Sequence, residues 1–250
     1  MSRRRFYLAL AALAGASAMT ATVDAAPAGK AAAARKAPAR KAAPARTVAR
    51  DWTRTVAVTP EGGFRMGNPN ARVKLIEYGS LTCSHCAHFA NTSKTQVAAA
   101  VRTGKVSYEF RNFVLNGIDV AATLLARCAA PASFFPLTEK LYATQPQWVG
   151  RIGALPQAQK DQLRTLADAE RNARIAELTG LTQLAATAGV TPQRAKACLA
   201  DPAGFARLDQ IRTAGAALGV EGTPTFFVNG QMISTQEWAD LEPLIRQAGG

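Results

Sequence analysis

Between Trp52 and Gly250 the apolar residues follow two rhythms, short runs of sheet character near both ends and helical spacing between them. A short strand is predicted at Thr55–Val58, followed by a turn through Glu61-Gly62-Gly63. Arg72–Tyr78 (Arg-Val-Lys-Leu-Ile-Glu-Tyr) reads as a buried strand rich in β-branched and apolar residues, and Gly79 ends it. After Thr82-Cys83-Ser84, residues 85–102 contain neither Pro nor Gly and suit a helix whose first turn holds the cysteines. Val106–Phe113 alternates like a second strand. The resulting β-α-β unit favours an α/β sheet.

From Asp119 to Val220 the period becomes helical. Candidate helices are Val120–Ala130, Pro136–Ala143, Ala158–Ala169, Arg171–Leu184, Pro192–Leu199 and Phe205–Leu218, all but the third and fourth separated by Pro or Gly. Thr225–Val228 and Gln231–Ile233 then form a hairpin around Asn229-Gly230, which suits the positive φ values of a type I′ turn. Gln236–Gln247 supplies a closing helix. The expected organisation is a sheet domain built from residues 51–118 and 219–250, with residues 119–218 inserted as a helical domain.

Charge changes the picture only at the N-terminus. The net charge of +13 invites a nucleic-acid reading, yet residues 1–50 hold 10 of the 30 Lys and Arg and one of the 17 acids, Asp24. The remaining 20 basic and 16 acidic residues leave residues 51–250 at only +4. Arg3, Arg4 and Arg5, the apolar Phe6–Met19 and the small residues at Val23–Ala26 have the layout of an export signal over residues 1–26. Fourteen residues make an apolar stretch too short for a stable bilayer span, which takes about 20. Ser2-Arg3-Arg4-Arg5-Phe6 also resembles the twin-arginine consensus, and either export route leads out of the cytoplasm. Residues 27–50 are almost entirely Ala, Pro, Lys and Arg, with seven basic residues and no acid. Such a segment has nothing to bury and repels itself, so a disordered linker is expected. It interleaves no aromatics on which bases stack, so no nucleic-acid partner is expected.

The chemistry centres on Cys83-Ser84-His85-Cys86. Two intervening residues on a first helical turn let the sulfurs meet while making them unequal. Cys83 stands at the positive end of the helix dipole, where free N–H groups stabilise a thiolate, and His85 adds hydrogen bonding or positive charge. Such a thiolate is both attackable and a good leaving group, with Cys86 behind it as the resolving thiol. Stabilising the thiolate also makes the disulfide more oxidising. A c-type haem site would need His directly after the second Cys, where Ala87 stands. Zinc or copper held by Cys83, Cys86, His85 and His88 would require neighbours on one turn to converge on a tetrahedral ion, and no second Cys/His pair follows. A purely structural disulfide within the motif is the remaining alternative. No metal is expected, and His88 reads as a surface or packing residue.

Glu77-Tyr78-Gly79-Ser80-Leu81-Thr82-Cys83-Ser84-His85-Cys86, with Met66-Gly67-Asn68-Pro69 upstream and Gly222-Thr223-Pro224-Thr225-Phe226-Phe227-Val228-Asn229-Gly230 near the end, resembles the DsbA-like thiol:disulfide oxidoreductases of the periplasm. The resemblance covers about residues 52–248. It implies a thioredoxin fold with an inserted α-helical domain, and no cofactor beyond the redox-active disulfide. It further implies a cis-proline loop at Thr223-Pro224 against the Cys pair, where the Thr223 backbone pairs with an extended substrate. Glu77 matches the family's buried acid, which exchanges a proton with Cys86; an ordinary salt-bridged strand residue is the alternative. The implied clients are exported, still extended polypeptides, and the implied reoxidant is a membrane quinone-linked thiol oxidase. The best-known oxidases of this family carry Pro-His between the cysteines where this chain has Ser84-His85, which leaves the magnitude of the potential open. Isomerase relatives have an N-terminal dimerisation domain that the Ala/Lys/Pro segment does not supply, so isomerase or reductase action ranks below oxidase action, alongside copper delivery from a different class. Four cysteines allow three pairings, and with the active-site pair local only Cys128–Cys198 remains. In an oxidising compartment a structural disulfide is expected there, with two buried free thiols as the alternative.

Overall fold

The run Arg72–Tyr78 becomes the centre of a six-stranded mixed sheet in a computed structural model that describes residues 50–250. The predicted export signal and all of the predicted linker except Arg50 lie outside the described residues. In chain order the strands are β1 (Val56–Val58), β2 (Phe64–Gly67), β3 (Val73–Gly79), β4 (Val106–Asn112), β5 (Thr225–Val228) and β6 (Gln231–Ile233). The helices are α1 (Ser84–Arg102), α2 (Gly117–Cys128), α3 (Phe134–Ala143), α4 (Gln145–Gly153), α5 (Gln157–Thr165), α6 (Asp168–Thr179), α7 (Leu181–Ala186), α8 (Pro192–Leu199), α9 (Pro202–Ala217) and α10 (Trp238–Gln247). The sheet order is β1-β2-β4-β3-β5-β6, with β3 and β4 parallel and every other neighbouring pair antiparallel.

Alternation along β3 assigns each side chain to a face. Val73 and Leu75 join the larger core with Phe89, Val97 and Val101 of α1. Ile76 and Tyr78 face the opposite way and pack with Ile211 of α9, Phe113 and Phe227. Glu77 therefore shares the α1 side of the sheet with Val73 and Leu75, beneath the helix that carries the cysteines. Phe226 of β5, paired with Glu77 in register, reaches Phe89 of α1 at 4.6 Å between ring centroids. Among the described residues no helix is long and apolar enough to cross a membrane.

The predicted hairpin is present, with φ of 52° at Asn229 and 85° at Gly230. Asn229 also accepts the Lys74 N–H at 2.8 Å through its side chain, which ties the turn to the start of β3. Four readings of the sequence need correction. β2 follows the predicted turn as an additional strand; Phe64-Arg65-Met66-Gly67 is too short to show alternation, and its pairing with both β1 and β4 makes it a strand. α4 was not expected because Pro146, Gly150 and Gly153 mask its period, although Pro is well tolerated in a first turn. Ala158–Ala169 is not one helix, since α5 ends at Thr165 and Leu166 is extended. Arg171–Leu184 breaks at Gly180, whose φ of 75° lies in the left-handed region that closes a helix.

Candidate active site

Cys83 occupies the N-cap of α1 in extended conformation (φ −80°, ψ 123°), and its sulfur accepts the Cys86 backbone N–H at 3.4 Å. The chain fits this position because Ser80–Cys83 turns away from the end of β3 before α1 begins. As a thiol, Cys83 Sγ donates to the carbonyl of Thr223 at 3.1 Å, across 140 residues of sequence. The Thr223–Pro224 bond is cis. Proline makes that isomer accessible, and its missing N–H leaves the loop edge without a donor at that residue. Tertiary structure thus unites the two distant motifs.

The two sulfurs occupy unlike surroundings. Cys83 is half-buried, whereas Cys86 is fully enclosed in the core. Hydrogen bonding from the Cys86 thiol is the largest influence on Cys83. With the Thr223 side chain and the backbone N–H groups of Cys86 and His85, it outweighs burial and lowers the Cys83 thiol to about 5. Burial pushes Cys86 well above the ordinary thiol value, with its hydrogen bond to Cys83 and the nearby Glu77 charge acting in the same direction. The pair is poised to hold one thiolate at Cys83 and one proton at Cys86.

Glu77 is 1% exposed. Burial raises its carboxyl to about 8, opposed by a hydrogen bond from the Tyr108 hydroxyl and assisted by the Cys83 charge. Among the described residues it makes no salt bridge, in contrast to the alternative reading of an ordinary ion-paired strand residue. His85 contributes through its backbone. Its imidazole is exposed, and no side-chain hydrogen bond joins it to Cys83. His88 is also exposed and lies 3.6 Å from Glu237. Among the described residues no group of three or more His, Cys, Asp or Glu is placed to hold a metal ion, so the copper reading gains no support. Cys128 and Cys198 are joined by a disulfide between α2 and α8.

The structure adds residues that the sequence reading passed over. Asp119 of α2 is fully buried; its carboxylate accepts from Ser80 Oγ at 2.6 Å and from the backbone N–H groups of Leu81 and Leu115, both at 3.0 Å. Tyr142 of α3 donates to the Ser80 carbonyl at 3.1 Å. Gln145 of α4 donates to the Leu81 and Cys83 carbonyls at 2.8 and 2.9 Å. The loop before Cys83 is therefore clamped by the helical stretch. No local motif marks these residues, because their partners in Ser80–Cys83 lie 38 to 64 residues away.

A Cys-x-x-Cys pair on a helix start, set against a cis-proline loop over a buried carboxylate, defines a thioredoxin-fold redox centre. A family model described as thioredoxin matches residues 59–247, and the chain belongs to that family. Over 176 residues it is 28% identical to a protein named as a protein-disulfide oxidoreductase in Rickettsia bellii (strain RML369-C), a match covering 68% of this chain and 58% of that one. The chain spans little more than half the length of this relative and of its Rickettsia prowazekii counterpart, 58% and 53% respectively. Among solved structures it is similar to a protein-disulfide isomerase from Novosphingobium aromaticivorans, with TM-score 0.69, 31% identity, and coverage of 74% of this chain and 97% of that one. It is also similar to Wolbachia pipientis alpha-DsbA1, with TM-score 0.61, 21% identity and coverage of 76% and 92%, a likeness that speaks for the fold.

Proposed function

We propose that this protein is a thiol:disulfide oxidoreductase that passes its Cys83–Cys86 disulfide to the thiols of extended polypeptides exported to the periplasm. The observation that carries this reading is the unequal placement of the two sulfurs, Cys83 half-buried at the N-cap of α1 against the cis-Pro224 loop and Cys86 enclosed beneath it, which lowers the first thiol and raises the second.

The reaction follows from that inequality. A client thiolate attacks Cys83 Sγ, the Cys83–Cys86 bond breaks, and its electron pair passes to Cys86. The proton held by Glu77 moves to Cys86 Sγ, because a buried thiolate is disfavoured there. A second client thiolate then attacks the client sulfur of the mixed disulfide. Cys83 leaves as the stabilised thiolate, the client is oxidised by two electrons, and the protein is left reduced. The loop before cis-Pro224, exposed at Glu221 and Gly222 and half-buried at Thr223, suits an extended client added as a strand. A membrane quinone-linked thiol oxidase is the reoxidant this cycle calls for, and no cofactor is required beyond the disulfide.

Isomerisation is a second reading, favoured by the name of the Novosphingobium structure. It uses the same thiolate but begins from the reduced protein. Two measurements separate the readings: equilibration with glutathione, and turnover on reduced versus scrambled disulfide clients. An oxidase is expected to stand well above the about −270 mV of thioredoxin and to act on reduced clients. A potential near that value, with activity confined to scrambled clients, overturns the proposal.

A further inference from the structure

Glu77 receives one side-chain hydrogen bond among the described residues, from the hydroxyl of Tyr108. Tyr108 stands opposite Leu75 in the parallel β3–β4 ladder, and Glu77 is opposite Phe110, so the two side chains meet on the diagonal of the same sheet face. Both groups are buried, and a buried carboxylate with no donor is strongly disfavoured. Tyr108 also helps line a cavity of about 470 Å3, together with Phe89, Val97, Phe135, Glu139 and Tyr142, whereas Glu77 does not line it.

We infer that Tyr108 is a positioning residue for proton transfer, whose hydroxyl holds the Glu77 carboxylate left behind when Glu77 protonates Cys86. The inference rests on the oxidoreductase reading and assigns this function to a residue outside the Cys-x-x-Cys and cis-proline motifs. As the Cys83–Cys86 bond breaks, Cys86 takes the electron pair and the Glu77 proton, and negative charge appears on Glu77 alone. The phenol donates to that charge without giving up its own proton, because burial and the Glu77 charge raise Tyr108 well above the ordinary phenol value. Cys83, Cys86, Tyr108 and Tyr142 are the titratable groups coupled to Glu77, and Glu139 faces Tyr108 from α3. Of the groups coupled to Glu77, Tyr108 is the one that donates a hydrogen bond to its carboxylate.

The test follows the infrared carboxyl stretch of Glu77 in the full reduced chain, assigned by its loss in Glu77→Gln, alongside the thiolate absorbance of Cys83. Tyr108→Phe is expected to move the Glu77 midpoint up by about one pH unit. It is also expected to slow reduction of the disulfide by dithiothreitol by about three- to tenfold, with the Cys83 midpoint unchanged. Replacing Tyr108 by 3-fluorotyrosine, which keeps the shape and strengthens the donor, is expected to move the Glu77 midpoint down. A Glu77 midpoint that stays in place in both variants overturns the inference and leaves Tyr108 as packing. Dithiothreitol tests the proton step whichever clients the protein serves. If the carboxyl responds but clients are not oxidised, the proposed function fails and the inference stands; the reverse pattern sinks the inference alone.

Discussion

Cys83 is the group whose ionisation distinguishes the reduced fold from the oxidised one, and the pH dependence of their difference in stability follows from it, since buried Glu77 is raised chiefly by burial that both forms share. In the reduced fold its thiol ionises at about 5, against 9.0 for an ordinary cysteine. A depressed acid contributes stability that is fully present above the unfolded value and is lost as pH falls through the folded one. The stability of the reduced form relative to the oxidised form is therefore expected to shrink between about pH 9 and about pH 5, and denaturant titrations of both forms across that window check it. The motif Cys83-Ser84-His85-Cys86 was legible because its spacing carries its chemistry. The way His85 acts was not, since only the fold shows an exposed imidazole and a backbone N–H directed at the sulfur. His85→Ala keeps that N–H, so it is expected to make the protein less oxidising by no more than about 30 mV, tenfold in the equilibrium constant, by glutathione equilibration. A larger shift would restore the imidazole to the mechanism.

At the scale of elements, α1 is positioned by helices that come later in the chain. Asp119 of α2, Tyr142 of α3 and Gln145 of α4 hold the carbonyl, amide and hydroxyl groups of Ser80–Cys83. Gln145→Leu removes donors from two carbonyls of this enclosed loop and is expected to destabilise the fold by about 1–3 kcal/mol. Urea unfolding measures this, and a loss within error would show that the loop is held without Gln145. The absence of Pro and Gly made α1 readable, a run of β-branched and apolar residues made β3 readable, and Asn229-Gly230 marked the β5–β6 hairpin. β2 and α4 escaped because a four-residue strand shows too little alternation and because Pro and Gly obscured a helix that packing sustains. The break at Gly180 depended on a left-handed φ, and a single Gly within a helical pattern does not announce one.

The whole described molecule joins the sheet and the helical stretch through one large core, with the Cys128–Cys198 disulfide within the helices. Its ends are 70 residues apart in sequence, a separation at which the chain-entropy model gives about 4 kcal/mol of stabilisation. The double variant Cys128→Ser, Cys198→Ser is expected to lose stability on that order while keeping the Cys83 thiolate midpoint, because neither residue touches the nucleophile. Calorimetry and thiolate absorbance on the same samples decide it. A displaced midpoint would show that this bond also shapes the redox centre.

By itself the sequence determined the α/β class, the redox pair and the helical character of the stretch that follows it, whereas Thr223-Pro224 was marked as its partner by the family resemblance. These properties reside in local spacing, in hydrophobic period and in the chemistry of particular residue types. Only the tertiary structure decided which groups surround the sulfurs: the Thr223 carbonyl on Cys83, Tyr108 on Glu77, and the Asp119–Gln145 clamp on the loop. Hydrogen bonds across 31 to 140 residues depend on where strands and helices pack, and burial, which sets the proton affinity of Glu77 and Cys86, is a property of the assembled core.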